Sequence, residues 1–226
     1  MKPKIGLVVP HVVIHNLDPH TGIPFMPHMA AHFAGALKSE GYPLQIFDCF
    51  GMNSHSTTVR DSFMFIGTPT EEVVSQLSPE IKIVFVYCRT VEDLISTEDF
   101  IQVLQRMRPD VKIGLFENIQ TVNSFSLKEL AVDLLKKGAT VAILGEPELR
   151  AKDLVEALSG EKSFRGIKSV VFLDMGEAVF TEKEETNKNL DILPMPNWED
   201  FPLEGYWNAH FAHAPVGSAK FLPLLT

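Results

Sequence analysis

Over the first 160 residues, short apolar runs alternate with stretches of helical apolar period. Lys4 to Val9 is a β-rich run, and Phe25 to Glu40 then spaces Met26, Met29, Ala30, Phe33, Ala34 and Leu37 on one helical face before stopping at Gly41. Leu44 to Phe47, closed by Asp48, predicts a second strand; the polar stretch Gly51 to Arg60 shows no clear period. Pro69 to Leu77 predicts a short helix with Glu71 and Glu72 at the positive end of its dipole. Ile81 to Tyr87 is nearly all apolar, as a strand covered on both faces should be. A helix from Thr97 to Met107, a strand from Val111 to Phe116, a helix from Ser126 to Lys137 and a strand from Thr140 to Leu144 follow. The helix Pro147 to Leu158 then opens on a proline suited to a first turn. Five strands separated by helices predict a flavodoxin- or Rossmann-like α/β fold, a parallel sheet with right-handed crossovers. The commonest order for this count is 2-1-3-4-5, with its switch point between the first and third strands.

The connection after the first strand, Pro10 to Pro27, is far longer than the roughly two to six residues usual between strand and helix, and long connections tend to bind ligands. It carries His11, His15 and His20, with Asp18 and Gly22 flanking the last. The predicted topology sets it beside the loop after the third strand, YCRTVEDL, so the two together would form the mouth of a site at the carboxyl edge of the sheet.

After Gly160 the pattern changes. Lys168 to Leu173 and Ala178 to Thr181 predict a β-hairpin around Gly176, and Glu182 to Lys188 is a charged, solvated linker. The remainder, from Asp191, is rich in proline and aromatics and has no period, which suits an extended strap lying on another surface. The expected division is an α/β domain over residues 1–160 and a hairpin with linker over 161–226, with the strap docked up to about Tyr206.

Charge and motif content remove several functions. A net charge of −9 gives no basic face for a nucleic-acid backbone, and no apolar run reaches the roughly 18 residues that span a bilayer. Two cysteines make neither a disulfide framework nor a metal site, so a reducing cytoplasm is the default. There is no GxGxxG for a dinucleotide and no GxxxxGK[ST] for a nucleoside triphosphate. Tyr87, Cys88 and Arg89 stand where a phosphorelay receiver needs an aspartate.

Several phrases together resemble the N-terminal part of cobalamin-binding radical SAM enzymes, over nearly the whole chain. These are a first strand ending in proline, the helix entry GIPFMPHMAAHFAGALKSEGY, the strand LQIFDCF, the unit DVKIGLFENIQ and the turn LGEPELR. The hairpin VVFLDMGEAVF and the strap LDILPMPNWEDFPLEGY resemble that family's link to the radical SAM barrel, whose CxxxCxxC cluster motif normally follows a phrase like FLPLLT. The resemblance implies bound cobalamin, a radical SAM domain in cis carrying S-adenosylmethionine and a 4Fe-4S cluster, a methyltransferase as the whole enzyme, and a chain cut before its catalytic barrel.

It also implies site residues. DPHTG, with Asp18, His20, Thr21 and Gly22, is one residue short of the DxHxxG in which a histidine ligates cobalt and an aspartate orients it, which makes His20 the candidate metal ligand. Arg89, after Cys88 and before Thr90, is the alternative occupant of the lower corrin face; an ion pair with Glu92 or Asp93 is its ordinary role. Glu117, Asn118 and Gln120 stand where the family has small residues against the corrin or its nucleotide tail. Gly145, Glu146 and Glu148 could hydrogen-bond ligand amides, or simply open a helix. Cys88 is a small buried residue rather than a nucleophile, and His28 and His32, one turn apart, lack a third metal ligand. Two other readings share these features: the N-terminal half of a two-domain glycosyltransferase, which should lead into a second α/β unit, and a non-catalytic cobalamin sensor, which needs no barrel linker.

Overall fold

In the computed structural model, which describes residues 2–18, 21–119, 126–185, 187–209 and 218–222, the chain begins with β1 (Ile5–Val9), β2 (Val12–His15), α1 (His28–Ser39), β3 (Leu44–Asp48) and α2 (Cys49–Met52). There follow β4 (Thr57–Arg60), β5 (Phe63–Ile66), α3 (Thr70–Ser75), β6 (Ile83–Cys88) and α4 (Leu94–Met107). Then come β7 (Lys112–Glu117), α5 (Leu127–Lys136), β8 (Val141–Ile143), α6 (Ala151–Leu158), the hairpin β9 (Val170–Asp174) and β10 (Glu177–Phe180), and α7 (Glu204–Asn208).

The parallel strands lie in the order β3-β1-β6-β7-β8, which is the expected 2-1-3-4-5. The hairpin joins the same sheet: β9 runs antiparallel to β8 and β10 to β9, making seven strands. Side chains alternate across it as strand geometry requires. Ile5, Leu7, Ile83, Phe85 and Tyr87 enter the core under α1 and α6; Val8, Val84, Val86 and Cys88 enter the core under α3, α4 and α5.

The long connection contains more structure than its sequence suggested. Val12–His15 pairs antiparallel with Phe63–Ile66, which pairs with Thr57–Arg60, so a three-stranded sheet β2-β5-β4 stands beside the main one. Each strand is four residues long, too short for a period to register; β4 and β5 form a hairpin closed by Asp61 and Ser62, while β2 joins from some fifty residues upstream. Helix α1 starts at His28, not Phe25, because the residue before a proline is disfavoured in the helical region and Pro27 holds the chain out until then. Asp48 not only closes β3 but caps α2, accepting a hydrogen bond from Gly51 N at 3.0 Å. A 3-10 turn at Val91–Asp93 leads directly into α4, which begins three residues earlier than its apolar period indicated.

The strap docks on the outer face of α1. Asn197 N donates to the Ala31 carbonyl at 2.9 Å, and a Cβ on Gly35 would stand 2.2 Å from the Met195 carbonyl oxygen. This explains a helix with apolar residues all round: Phe33, Ala34 and Leu37 face the sheet, and the small residues Ala31 and Gly35 admit the strap. Further on, Phe201, Leu203 and Tyr206 are buried and Trp198 and Trp207 pack against the core. Backbone meets backbone there, since a Cβ on Gly51 would lie 2.2 Å from the Pro202 carbonyl oxygen and one on Gly205 2.4 Å from that of Phe50. His20, Gln120 and residues 210–217 of the expected strap fall outside the described residues.

Candidate functional site

The parallel sheet's carboxyl edge has two regions of different character. At the switch point between β1 and β6 it is closed by a buried polar network. Asp93 lies at its centre: Oδ1 accepts from Val13 N (2.9 Å), and Oδ2 accepts from Arg89 Nε (2.9 Å), Arg89 Nη2 (2.8 Å) and Thr90 Oγ1 (2.9 Å). Of the two carboxylates that could pair with Arg89, it is Asp93 that does so, four residues along. Arg89 Nη2 also donates to the His11 carbonyl at 3.1 Å, and Nη1 is buried with no hydrogen-bond partner among the described residues.

His11 fills the space beside it. With Nε2 donating to the Thr68 carbonyl at 2.9 Å, Nδ1 is left to accept from Ser96 Oγ at 2.9 Å. Burial holds its pKa down at about 4, so the imidazole is neutral and structural. The notable loop histidine at position 11 is therefore a satisfied core residue.

Thr21, Gly22, Thr90 and Asp93 border a gap of only about 10 Å³, room for one water. Thr21 Oγ1 accepts from His15 N and donates to the Asp18 carbonyl, and Gly22 has φ +83° with Ile14 Cγ1 2.4 Å from where a Cβ would stand. These residues shape the loop tightly against β2. Cys88 is fully buried, and burial pushes its thiol up out of the nucleophilic range.

Asp48, at the end of β3, is enclosed by the strap. Tyr206 OH donates to its Oδ2 at 2.8 Å, and burial raises its pKa to about 6. A carboxyl raised from its usual 3.8 disfavours the folded state as pH climbs through the folded value. Asp48→Asn, which keeps the neutral form at every pH, is therefore expected to gain roughly 3 kcal/mol on the native protein between pH 3.8 and about pH 7. Parallel denaturation curves of the two proteins across this range would refute it.

Further along the edge, beyond β7 and β8, the site opens into a cavity of about 630 Å³. Glu117, Gly145, Glu146 and Glu148 form the sheet side, and Phe180, Thr181 and the linker residues Lys183–Glu185 form the other. Glu117 is a scaffold in this wall: its two oxygens accept from Leu127 N at 2.9 Å, capping α5, and from Gly145 N at 3.0 Å. Asn118 is buried beside it, its backbone N donating to the Cys88 carbonyl.

Arg150, which the sequence did not single out, holds the cavity together. Its guanidinium donates to the carbonyls of Leu144 (2.9 Å), Glu146 (2.7 Å), Lys168 (2.6 Å) and Ser169 (3.1 Å), and pairs with Glu184 at 2.6 Å. It thereby ties the turn after β8 to the start of β9 and to the linker. Its only sequence signal was a charged residue closing the turn LGEPELR. Glu148 differs from its acidic neighbours: it is 8% exposed, and its Oε2 is buried without a partner among the described residues. Burial, with Glu146 nearby, pushes its pKa up to about 7.

The expected site residues thus fall in three places. Glu117, Gly145 and Glu146 share the cavity; Thr21, Gly22 and Thr90 share the loop gap at the switch point; Cys88 and Arg89 are buried beneath the edge. Among the described residues no three metal-ligating side chains cluster, and no helix is long and apolar enough to cross a membrane.

No protein-family model matches the chain, and no curated protein matches it. Solved structures do. The radical S-adenosylmethionine methyltransferase TsrM from Kitasatospora setae, in a structure with cobalamin and a [4Fe-4S] cluster bound, superposes with a TM-score of 0.56 at 16% identity over 87% of this chain. The cobalamin-dependent S-adenosylmethionine radical enzyme OxsB, with aqua-cobalamin and S-adenosylmethionine bound, gives 0.58 at 16% identity over 87%. This chain spans 31% of the TsrM chain and 24% of the OxsB chain. The fold is shared with those enzymes, the same group that the sequence phrases resemble.

Proposed function

We propose that this chain is a cobalamin-binding domain that works in cis with a radical SAM domain, in an enzyme that transfers methyl groups. The observation that supports this most is the open cavity on the carboxyl edge, in a fold whose solved counterparts include cobalamin complexes. The lining suits the ligand. Gly145 has φ +71° and nothing within 4 Å of where a Cβ would stand, so a flat group can lie against its backbone. The corrin periphery is rich in primary amides, and Glu146 and Glu148 offer hydrogen-bonding carboxyls to them. Thr21, Gly22 and Thr90 border the loop gap at the switch point, with Cys88, Arg89 and Asn118 buried beneath the edge and Glu117 fixing Gly145. His20 and Gln120 complete the proposed set, His20 as the candidate cobalt ligand.

Bound cobalamin would supply a cobalt centre that carries a methyl group, while S-adenosylmethionine and the iron–sulfur cluster would belong to the radical SAM domain. The contribution of this chain is to bind the corrinoid, orient it and hold its neighbour through the strap.

Titration of the purified chain with hydroxocobalamin tests the proposal. Saturable change in the visible spectrum and co-elution at micromolar ligand are expected; neither occurring would sink the reading and favour the glycosyltransferase alternative. His20→Ala then decides the axial position. A shifted spectrum with weaker binding assigns His20 to cobalt, whereas an unchanged base-off spectrum leaves the lower face without this ligand.

A further inference from the structure

Among the described residues, the cavity wall contains one carboxyl with a buried oxygen that has no hydrogen-bond partner. Glu117 spends both oxygens on backbone N–H groups, and Glu184 is paired with Arg150. Arg150, the cation nearest in sequence to Glu148, is itself committed to Glu184 and four carbonyls. Glu148 is left with a buried oxygen that no described donor reaches, in a wall it shares with Glu117, Glu146, Glu184 and Glu185. A buried carboxylate with one oxygen unpartnered, among other carboxylates, is poorly stabilised, and its burial outweighs its own backbone N–H and the charge of Arg150 in favouring the neutral acid. A neutral carboxyl presents one O–H donor and one C=O acceptor side by side. That is the complement of a primary amide, which presents C=O and N–H with the same spacing. A carboxylate ligand would instead meet further acceptors and an acidic wall.

Resting on the cobalamin reading, we propose that Glu148 is a specificity residue of the site: its neutral carboxyl pairs with a side-arm amide of the corrinoid and rejects a carboxylate at that position. The charged and titratable groups around it are few enough to separate. Its own turn carries Glu146 and Arg150; the sheet contributes Glu117 and Tyr87, whose hydroxyl is pushed up mainly by its burial. Lys128 comes from α5, and Lys183, Glu184 and Glu185 from the linker. Helix α1, packed on this turn, carries His28 and His32. The ordinary range of a carboxyl lies well below neutrality, and burial of Glu148 moves its titration to about 7, where it is measurable without unfolding the protein.

The experiment measures cyanocobalamin affinity of the chain by equilibrium dialysis between pH 6 and pH 8.5, a range in which this corrinoid's axial ligands do not titrate. Native affinity is expected to fall about tenfold from pH 6 to pH 8, as the acid loses its proton. Glu148→Gln, which replaces the acid by an amide of the same shape, should bind with a flat profile. Glu146→Gln should retain the native slope, whatever its affinity. Purified corrinoid monocarboxylates, each with one side-arm amide hydrolysed, extend the test: at least one should bind the native chain about tenfold more weakly than cyanocobalamin at pH 7, and Glu148→Gln should narrow that gap. A flat native profile with saturable binding would overturn the role of Glu148 while leaving the cobalamin site intact, as would a slope that survives in a folded Glu148→Gln protein. Absence of binding at every pH would instead defeat the cobalamin site itself, and the role of Glu148 with it.

Discussion

Asp93→Ala should be the most damaging single substitution at the carboxyl edge, costing about 3–5 kcal/mol. The carboxylate accepts four hydrogen bonds, from Val13 N, Thr90 Oγ1 and two Arg89 nitrogens, and all the donors are buried. Removing it leaves the Arg89 guanidinium, 2% exposed, as an uncompensated charge with one nitrogen already unpaired. It also frees β2 from the turn that starts α4, since Val13 N is the link between them. For a chain of this size the loss corresponds to a fall in melting temperature of roughly 10 °C. Replacing Arg89 and Asp93 together by apolar residues of similar volume should recover much of it, because the isolated charge and not the lost attraction dominates the cost. A melting temperature for Asp93→Ala within about 2 °C of native would show that Arg89 finds another counter-charge, and the central place given to Asp93 would be wrong.

Gly51→Ala is expected to release the strap. Its methyl would stand 2.2 Å from the Pro202 carbonyl oxygen, a contact with backbone that no rotamer change relieves. Undocking exposes Phe201, Leu203 and Tyr206, at roughly 2 kcal/mol for each buried side chain, and removes the Tyr206 hydroxyl from Asp48. Amide exchange separates this from general destabilisation: protection from Asn197 to Trp207 should collapse while β6 and β7 remain slow. Protection that stays native along the strap would mean the crossing tolerates a Cβ. Gly205→Ala, facing the Phe50 carbonyl oxygen at 2.4 Å, provides the same test from the strap side.

The legible part of the fold is the part built from long, periodic segments. Apolar runs such as Ile83–Cys88 and helical stripes such as Phe33, Ala34 and Leu37 alternate down the chain, and the chirality of β-α-β crossovers turns that alternation into the strand order 2-1-3-4-5. The small sheet was hidden because its strands are each four residues long and its hairpin, Thr57–Arg60 with Phe63–Ile66, is completed by Val12–His15 from some fifty residues upstream. The pairing of Val12–His15 is a tertiary event, and a window of sequence around that strand does not contain it.

For the site, sequence located the edge and several of its residues, while packing decided their states. Glu117 and Glu148 are both glutamates near strand ends; one lies among backbone N–H groups and holds a helix and a turn, the other is buried with one oxygen unpartnered and favours its proton. Arg89 and Arg150 are likewise arginines following strands, one bound to a single aspartate at the switch point and the other gathering four carbonyls under the cavity. Residue type and spacing determined by themselves that an α/β sheet would present a ligand-sized edge after its strands. Which carboxyl is spent on scaffold, which is neutral and where the space lies were decided only by the tertiary structure, because desolvation and the supply of donors depend on neighbours brought from distant parts of the chain.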